Sequence, residues 1–256
     1  FRLEKDSPAT ALGFESFDYD RAGLRGESGW TSMPEQIERP PLEYAPPPPS
    51  GFPFSYDFEQ YKTGEMPIVI GRLMEGKSGG IRVTDRVAAN GRKCLAFTDG
   101  RADQAWLPHW AMWLRQQDQG TVKMSCDFLN DEQHPARFRI EFRDWSSSPW
   151  HGGPTVTVEA DGRVKAGGRQ LAVVAPGRWS HLEIRFRYGP GAPKSYMVTL
   201  RDSDGETESA QSVPFTSDQF ATCTWFGISS LDNDKAVYYL DNIRMAIDDS
   251  SEQLGD

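Results

Sequence analysis

The chain has 256 residues, 24 Gly, 18 Pro, 8 Trp, 8 Tyr and 14 Phe, and a formal net charge of -9. The acidic balance excludes the basic footprint that nucleic-acid phosphates require, and no run of about 18 apolar residues is present to span a membrane. Frequent turns and aromatics favour short strands over long helices.

The chain begins at Phe1 without the charged and apolar regions of a signal peptide. A mature form or an excised fragment is therefore expected, with neighbouring domains of a longer chain as possible partners. Residues 1–53 differ from the rest. Eight of the prolines fall in 34–53, including "PPLEYAPPPPSGFP". Proline cannot feed a central strand or helix, so 1–53 reads as a proline-rich extension or strap. Before the proline run, "GFESFDYDRAGLRGESGW" at 13–30 suits a short strand or hairpin. A β-sandwich is expected over 54–248, and 249–256 reads as a flexible tail.

From Phe54 the pattern is strand and turn. Candidates in order are "FSYDFEQY", "GGIRVTD", "KCLAFTD" and "TVKMSCDFL". Between them, "ADQAWLPHWAMWLRQQDQG" has helical spacing in Trp106, Trp110 and Trp113, interrupted by Pro108, and these tryptophans are expected to pack under a loop. In "ARFRIEFRDW", Phe138, Ile140 and Phe142 alternate with Arg137, Arg139, Glu141 and Arg143, which is the period of a half-buried strand. "HLEIRFRYG" repeats the device with Arg185 and Arg187 outward. If those two strands are neighbours, their arginines form one basic stripe suited to carboxylates or sulfates. The alternative is a solvated face of Arg–Glu pairs. "PTVTVEADGRVKAGGRQLAVV" is a hairpin turning at 160–163, and "SYMVTLRDSDGETESAQSVPF" is another turning at Asp204-Gly205. "CTWFGISS" and "AVYYLDNIRMAI" close the set. Ten or more such strands imply two antiparallel sheets packed face to face. Cys94, Cys126 and Cys223 lie far apart and read as three core thiols, with one disulfide and a free thiol as the alternative.

The loop "DWSSSPWHGGP" at 144–154 sets Trp145, Trp150 and His151 among Ser, Gly and Pro. Tryptophan in a loop either packs or binds. Aromatic platforms stack on sugar rings, and Arg139, Arg143, Asp144 and His151 could hydrogen-bond hydroxyls. These four, with Trp145 and Trp150, form the expected carbohydrate contact set. No alternating triad of carboxylates, Ser-His-Asp signature, phosphate loop or zinc motif is present, so binding is expected ahead of catalysis.

The series "YDFEQYKTGEMP", "GIRVTDRVAANGRKCLAFTDG", "RWSHLEIRF" and "YYLDNIRM" resembles the concanavalin A-like or laminin-G-like jelly rolls and the β-sandwich carbohydrate-binding modules. The resemblance covers about 54–247. It implies an all-β, two-sheet antiparallel jelly roll from a secreted, extracellular or periplasmic protein, often bacterial, that takes a polysaccharide or oligosaccharide as partner. It also implies a structural calcium between the first and last strands, with Glu59 and Asp241 matching its carboxylate positions and Asp99 a third. A hard cation wants such oxygens; strand caps or arginine pairs are the competing use of these acids. A polysaccharide lyase or glycoside hydrolase, and a non-catalytic assembly module, are the alternative functions.

Overall fold

The computed structural model describes residues 7–14, 25–33, 52–101, 104–114, 118–201, 203, 207–232 and 234–248. The proline-rich run up to Gly51, the Asp204-Gly205 turn and the tail 249–256 lie outside the described residues. The chain divides into two units, Phe1–Pro46 and Pro47–Asp256. In the first unit the described residues form two helical turns, α1 (Pro8–Ala11) and α2 (Ser28–Thr31). Ser7 caps α1 by accepting the Ala9 N–H at 3.3 Å. Where a strand or hairpin is expected at 13–30, Ser28–Thr31 is helical.

The second unit holds β1 (Phe54–Tyr56), β2 (Arg72–Met74), β3 (Gly80–Thr84), β4 (Cys94–Thr98), β5 (His109–Trp113), β6 (Gly120–Asn130), β7 (Phe138–Asp144) and β8 (His151–Val158). It continues with β9 (Arg163–Ala166), β10 (Arg169–Val173), β11 (Ser180–Tyr188), β12 (Ser195–Arg201), β13 (Thr207–Pro214), β14 (Trp225–Ser230) and β15 (Val237–Asp248). One sheet runs β13-β12-β11-β6-β15-β4-β3, with β1 also paired to β15. The other runs β10-β9-β8-β7-β14-β5-β2. All these strand pairs are antiparallel, and the two sheets stack as a sandwich.

Alternation decides which side chains enter the core. On β7, Phe138, Ile140 and Phe142 are fully buried; on β11, Leu182, Ile184 and Phe186 are. Rings join the sheets: Phe138 stacks on Tyr238 at 4.2 Å and 5°, and Phe142 meets Phe186 edge-on at 4.9 Å. Each such aromatic contributes about 2–3 kcal/mol through burial. The β8–β9 hairpin turns at 160–163 as the sequence implies, with Gly162 at φ +84, a left-handed value that glycine adopts without a steric penalty. All three cysteines are buried free thiols, and burial raises the pKa of each.

Two expectations change. The Trp106–Trp113 stretch contains a strand, β5, so its tryptophans separate: Trp110 is fully buried and donates Nε1–H to the Ile70 carbonyl at 2.8 Å, while Trp106 and Trp113 are exposed. The basic stripe divides, because β7 and β11 belong to different sheets. Arg139 and Arg143 project from the outer face of one sheet, and Arg185 and Arg187 from the outer face of the other.

Candidate functional site: the outer face of the seven-stranded sheet

Cross-strand partners share a face, so the register lays out this surface in rows. One row runs His109, Ser229, Arg139, Thr157, Lys165. The next runs Ala111, Gly227, Glu141, Thr155, and the third Trp113, Trp225, Arg143, Gly152. Small residues at Ala111 and Gly227 leave room in the middle row. The Trp225 ring fills part of it by lying across Gly227, where an added Cβ would sit 2.1 Å from the indole. Glycine is required there because the ring approaches the backbone so closely.

A continuous chain of stacked groups results. The Trp106 ring meets His109 edge-on at 5.6 Å and 86°, and His109 stacks on Trp225 at 5.6 Å and 20°. The Arg143 guanidinium lies 4.4 Å from the Trp225 ring centre and 4.1 Å from that of Trp150. Trp150 adjoins Trp145, and Trp145 adjoins Trp113, each at 5.9 Å. Sandwiching a guanidinium between two indoles favours its planar cation over the ring faces. The outer members stay open: Trp113 is 69% exposed, Trp106 45% and Trp145 40%.

Glu141, 3% exposed, sits between two arginines. It pairs with Arg143 and lies 3.9 Å from Arg139. The Nε atoms of Arg139 and Arg143 are buried and have no acceptor in the structure. His109 is buried, with Nδ1 2.7 Å from the Ser229 hydroxyl. Burial, then the nearby Arg143 charge, lowers its pKa to about 4, so the imidazole is neutral near pH 7.

Four of the six expected contact residues, Arg139, Arg143, Trp145 and Trp150, meet on this surface. Asp144 has another task. It is 1% exposed; its Oδ1 accepts the Ser146 N–H at 2.9 Å and its Oδ2 accepts those of Ala221 at 3.1 Å and Thr222 at 2.9 Å. Burial opposes its ionisation, but hydrogen bonds from Ser146 and Thr222 prevail and take its pKa down to about 2. Asp144 therefore ties the Trp145–Trp150 loop to the segment leading into β14. His151 pairs with Asp144 in the ladder and so points away from the Arg143 side. Sequence reasoning groups His109 with the tryptophans of its own stretch and overlooks Trp225, Gly227 and its hydrogen-bond partner Ser229. Their signal was the period of two in "HWAMW" and "WFGISS".

The three candidate calcium ligands do not meet at one point. Asp241 is fully buried. Its Oδ2 accepts the amides of Ala89 at 3.0 Å and Asn90 at 3.3 Å, and its Oδ1 that of Asn242 at 2.8 Å. Glu59 Oε1 accepts the amides of Arg92 at 2.7 Å and Lys93 at 2.8 Å. Both carboxylates thus grip the β3–β4 connection. Asp99 bonds to Ala236 at the far end of β4, five residues from Asp241 along β15, or roughly 16 Å. Among the described residues no cluster of three or more His, Cys, Asp or Glu is placed to hold a metal.

No protein-family model matches the chain, and no curated protein matches it in sequence. Solved structures do resemble it. An endo-β-1,4-glucuronan lyase from the fungus Trichoderma reesei superposes with a TM-score of 0.53 at 11% identity, over 75% of this chain and 94% of that one. A Shewanella oneidensis MR-1 protein of unknown function gives 0.52 at 12% identity, over 79% and 88%. An alginate lyase from Aplysia kurodai gives 0.48 at 6%, over 64% and 86%. The fold is a concanavalin A-like jelly roll. No described helix is long and apolar enough to cross a membrane.

Proposed function

We propose that this protein is an extracellular or periplasmic polysaccharide-binding module, and that its ligand lies on the outer face of the seven-stranded sheet. The observation that carries this reading is the Trp106–His109–Trp225–Arg143–Trp150–Trp145–Trp113 chain, open at both ends. Exposed indoles supply flat apolar area for sugar rings. The Arg139 and Arg143 side chains, 32% and 19% exposed, add donors for hydroxyls or carboxylates. The double variant Trp113→Ala/Trp145→Ala removes exposed rings only. It is expected to lose about tenfold or more in retention by polysaccharide gels, consistent with about 1–3 kcal/mol for loss of an aromatic anchor, with an unchanged melting temperature. Full retention by a folded variant would place the ligand elsewhere.

A lyase acting on uronates is the second reading. A neutral His109 beside the Arg139 row favours it, and the fold is shared with a glucuronan lyase. An imidazole could accept a proton while an arginine holds the uronate carboxylate. Appearance of an unsaturated product absorbing in the ultraviolet, abolished by His109→Ala, is its test. A glycosidase reading has less support. The next carboxylate in this direction, Glu159 just after β8, lies four residues beyond the partner of Glu141, roughly 13 Å away, outside the usual separation of a catalytic pair.

Calcium enters this reading as a structural ion only. Glu59 and Asp241 have the oxygen chemistry for it and converge on one loop, and they would tie the first and last strands through that loop. Asp99 is too far along β4 to share the ion.

A further inference from the structure

The arginines that fell on the other sheet are not absorbed by this function. On the outer face of the eight-stranded sheet, Arg185 and Lys123 are cross-strand partners, and Lys123 in turn pairs with Ala246. The adjacent row runs Glu183, Ser125, Arg244, Ser55. β1 begins at Phe54, so Pro53 closes one side opposite the small Ala246, and a groove of about 590 Å³ opens there. That volume is in the range of small-molecule sites. Three cations and one carboxylate line it. Glu183 lies 3.9 Å from Arg185. Lys123 and Arg244 have exposed side chains and no ion pair among the described residues. The Nε of Arg185 is buried with no acceptor.

We propose that this groove is a second binding site, for a single carboxylate or sulfate group of an acidic polysaccharide, so that the protein engages such a polymer on both outer faces. The proposal rests on the polysaccharide-binding reading for its choice of polymer. The physical argument is charge complementarity. A compact trio of cations on a protein of net charge -9 suits an isolated oxyanion with polar surroundings. The Arg185 side chain is 35% exposed and turns its Nε toward Glu183, leaving the rest of the guanidinium to face a ligand; Ser125 and Ser55 supply hydroxyls, and the floor at Ala246 leaves room for a ring. Two faces on one polymer would raise retention through effective concentration without any new contact at the first site.

The test compares four proteins on alginate gel (carboxylate) and dextran-sulfate gel (sulfate ester): wild type, Lys123→Glu/Arg244→Glu, Trp113→Ala/Trp145→Ala, and the combination. Lys123 and Arg244 are exposed, so their reversal leaves the core intact. Lys62→Glu/Arg92→Glu makes the same change in net charge away from the groove. Loss of about tenfold in the Lys123/Arg244 variant, with retention kept in the charge-matched control and residual salt-sensitive retention in the tryptophan variant, is the expected result. Which gel shows the loss identifies carboxylate or sulfate as the bound group. Unchanged retention of the Lys123/Arg244 variant on both gels overturns this proposal while leaving the first face standing. Equal loss in the charge-matched control also overturns it, since net charge alone would then be responsible. Loss in the Lys123/Arg244 variant with none in the tryptophan variant would instead remove the first face and keep this groove.

Discussion

Asp144, at the end of β7, and Asp241, in the bulge of β15, are buried carboxylates fed in the same way. Each takes one amide from its own segment and two consecutive amides from a loop distant in sequence: Ala221 and Thr222 for one, Ala89 and Asn90 for the other. Yet they titrate in opposite directions. Asp144 falls to about 2, while burial pushes Asp241 up to about 6. The backbone cradle is common to both, so the difference lies in what surrounds it. The polar side chains of Ser146 and Thr222 beside Asp144 also favour its ionised form. Asp241 is buried more deeply and faces the charge of Asp127, which Asn242 and His181 already engage. Amide donors alone do not settle the protonation state of a buried acid; desolvation and the next charge decide it.

The largest effect expected from this comparison is at Asp144. Replacement by Ala leaves three partly buried amides without their acceptor, at about 1 kcal/mol each. Chemical denaturation of Asp144→Ala is expected to show a loss of about 3 kcal/mol. Because the same carboxylate fixes the Trp145–Trp150 loop, polysaccharide retention is expected to fall as well, even at temperatures where the variant is folded. A loss below about 1 kcal/mol would mean that the amides find other partners and that Asp144 does not organise the site.

Neither tie was legible in the sequence, and the reason is physical. The strand set was legible because burial on one face imposes a period of two, which "RFRIEFR" and "HLEIRFRYG" display without interruption. Identical patterns cannot say which sheet a strand joins, so the sequence leaves open whether Arg143 and Arg185 are neighbours; the sheets turn them opposite ways. Trp106, Trp110 and Trp113 carry spacings of four and three, which suit a helix; only the pairing of β5 with β14 shows that Trp110 points in and Trp113 out. Asp144 and Trp145 are adjacent and were read as one contact set. Their alternation puts the acid inside and the indole outside. Asp241, one of the acids that the resemblance assigns to a calcium, is fully buried. Its partners, more than 150 positions earlier in the chain, are set by topology alone.

Asp241 offers the next test, through pH. Its folded pKa of about 6 exceeds the value of about 3.9 expected in the unfolded chain, so the folded state binds the extra proton. Its contribution to stability is fully present below about pH 4 and is lost as pH rises through 6. Two pKa units correspond to about 3 kcal/mol. Asp241→Asn cannot titrate, so subtracting its stability profile from that of wild type isolates this slope. In metal-free buffer the difference is expected to decline from pH 4 to 7. Saturating calcium would hold the carboxylate ionised, and the slope would then reverse, with about 2.7 kcal/mol gained at a hundredfold excess over Kd. A profile unaffected by calcium at pH 7 would remove the ion from the proposed function and leave the amide cradle as the sole tie.

Glu59 gives the smallest effect and the opposite sign. Hydrogen bonds from the Arg92 and Lys93 amides lower its pKa below the ordinary value, so its contribution is present above about pH 4.5 and fades as pH falls. Water reaches this carboxylate, and exposed charge interactions are screened, so the change on Glu59→Gln should be small. The useful quantity is its coupling to Asp241, since both acids hold one loop, at Ala89–Asn90 and at Arg92–Lys93. In a double-mutant cycle measured by thermal melting in metal-free buffer, two independent ties to a flexible loop would add. Two ties that restrain one rigid loop would give less than the sum, because releasing either end frees the same backbone. A calcium ion shared by the two carboxylates predicts something further. Sub-additivity would become pronounced on adding calcium, since either substitution alone removes the ion. Cycles that are additive with and without calcium would show that Glu59 and Asp241 act separately, and the loop between β3 and β4 would then be held at two unconnected points.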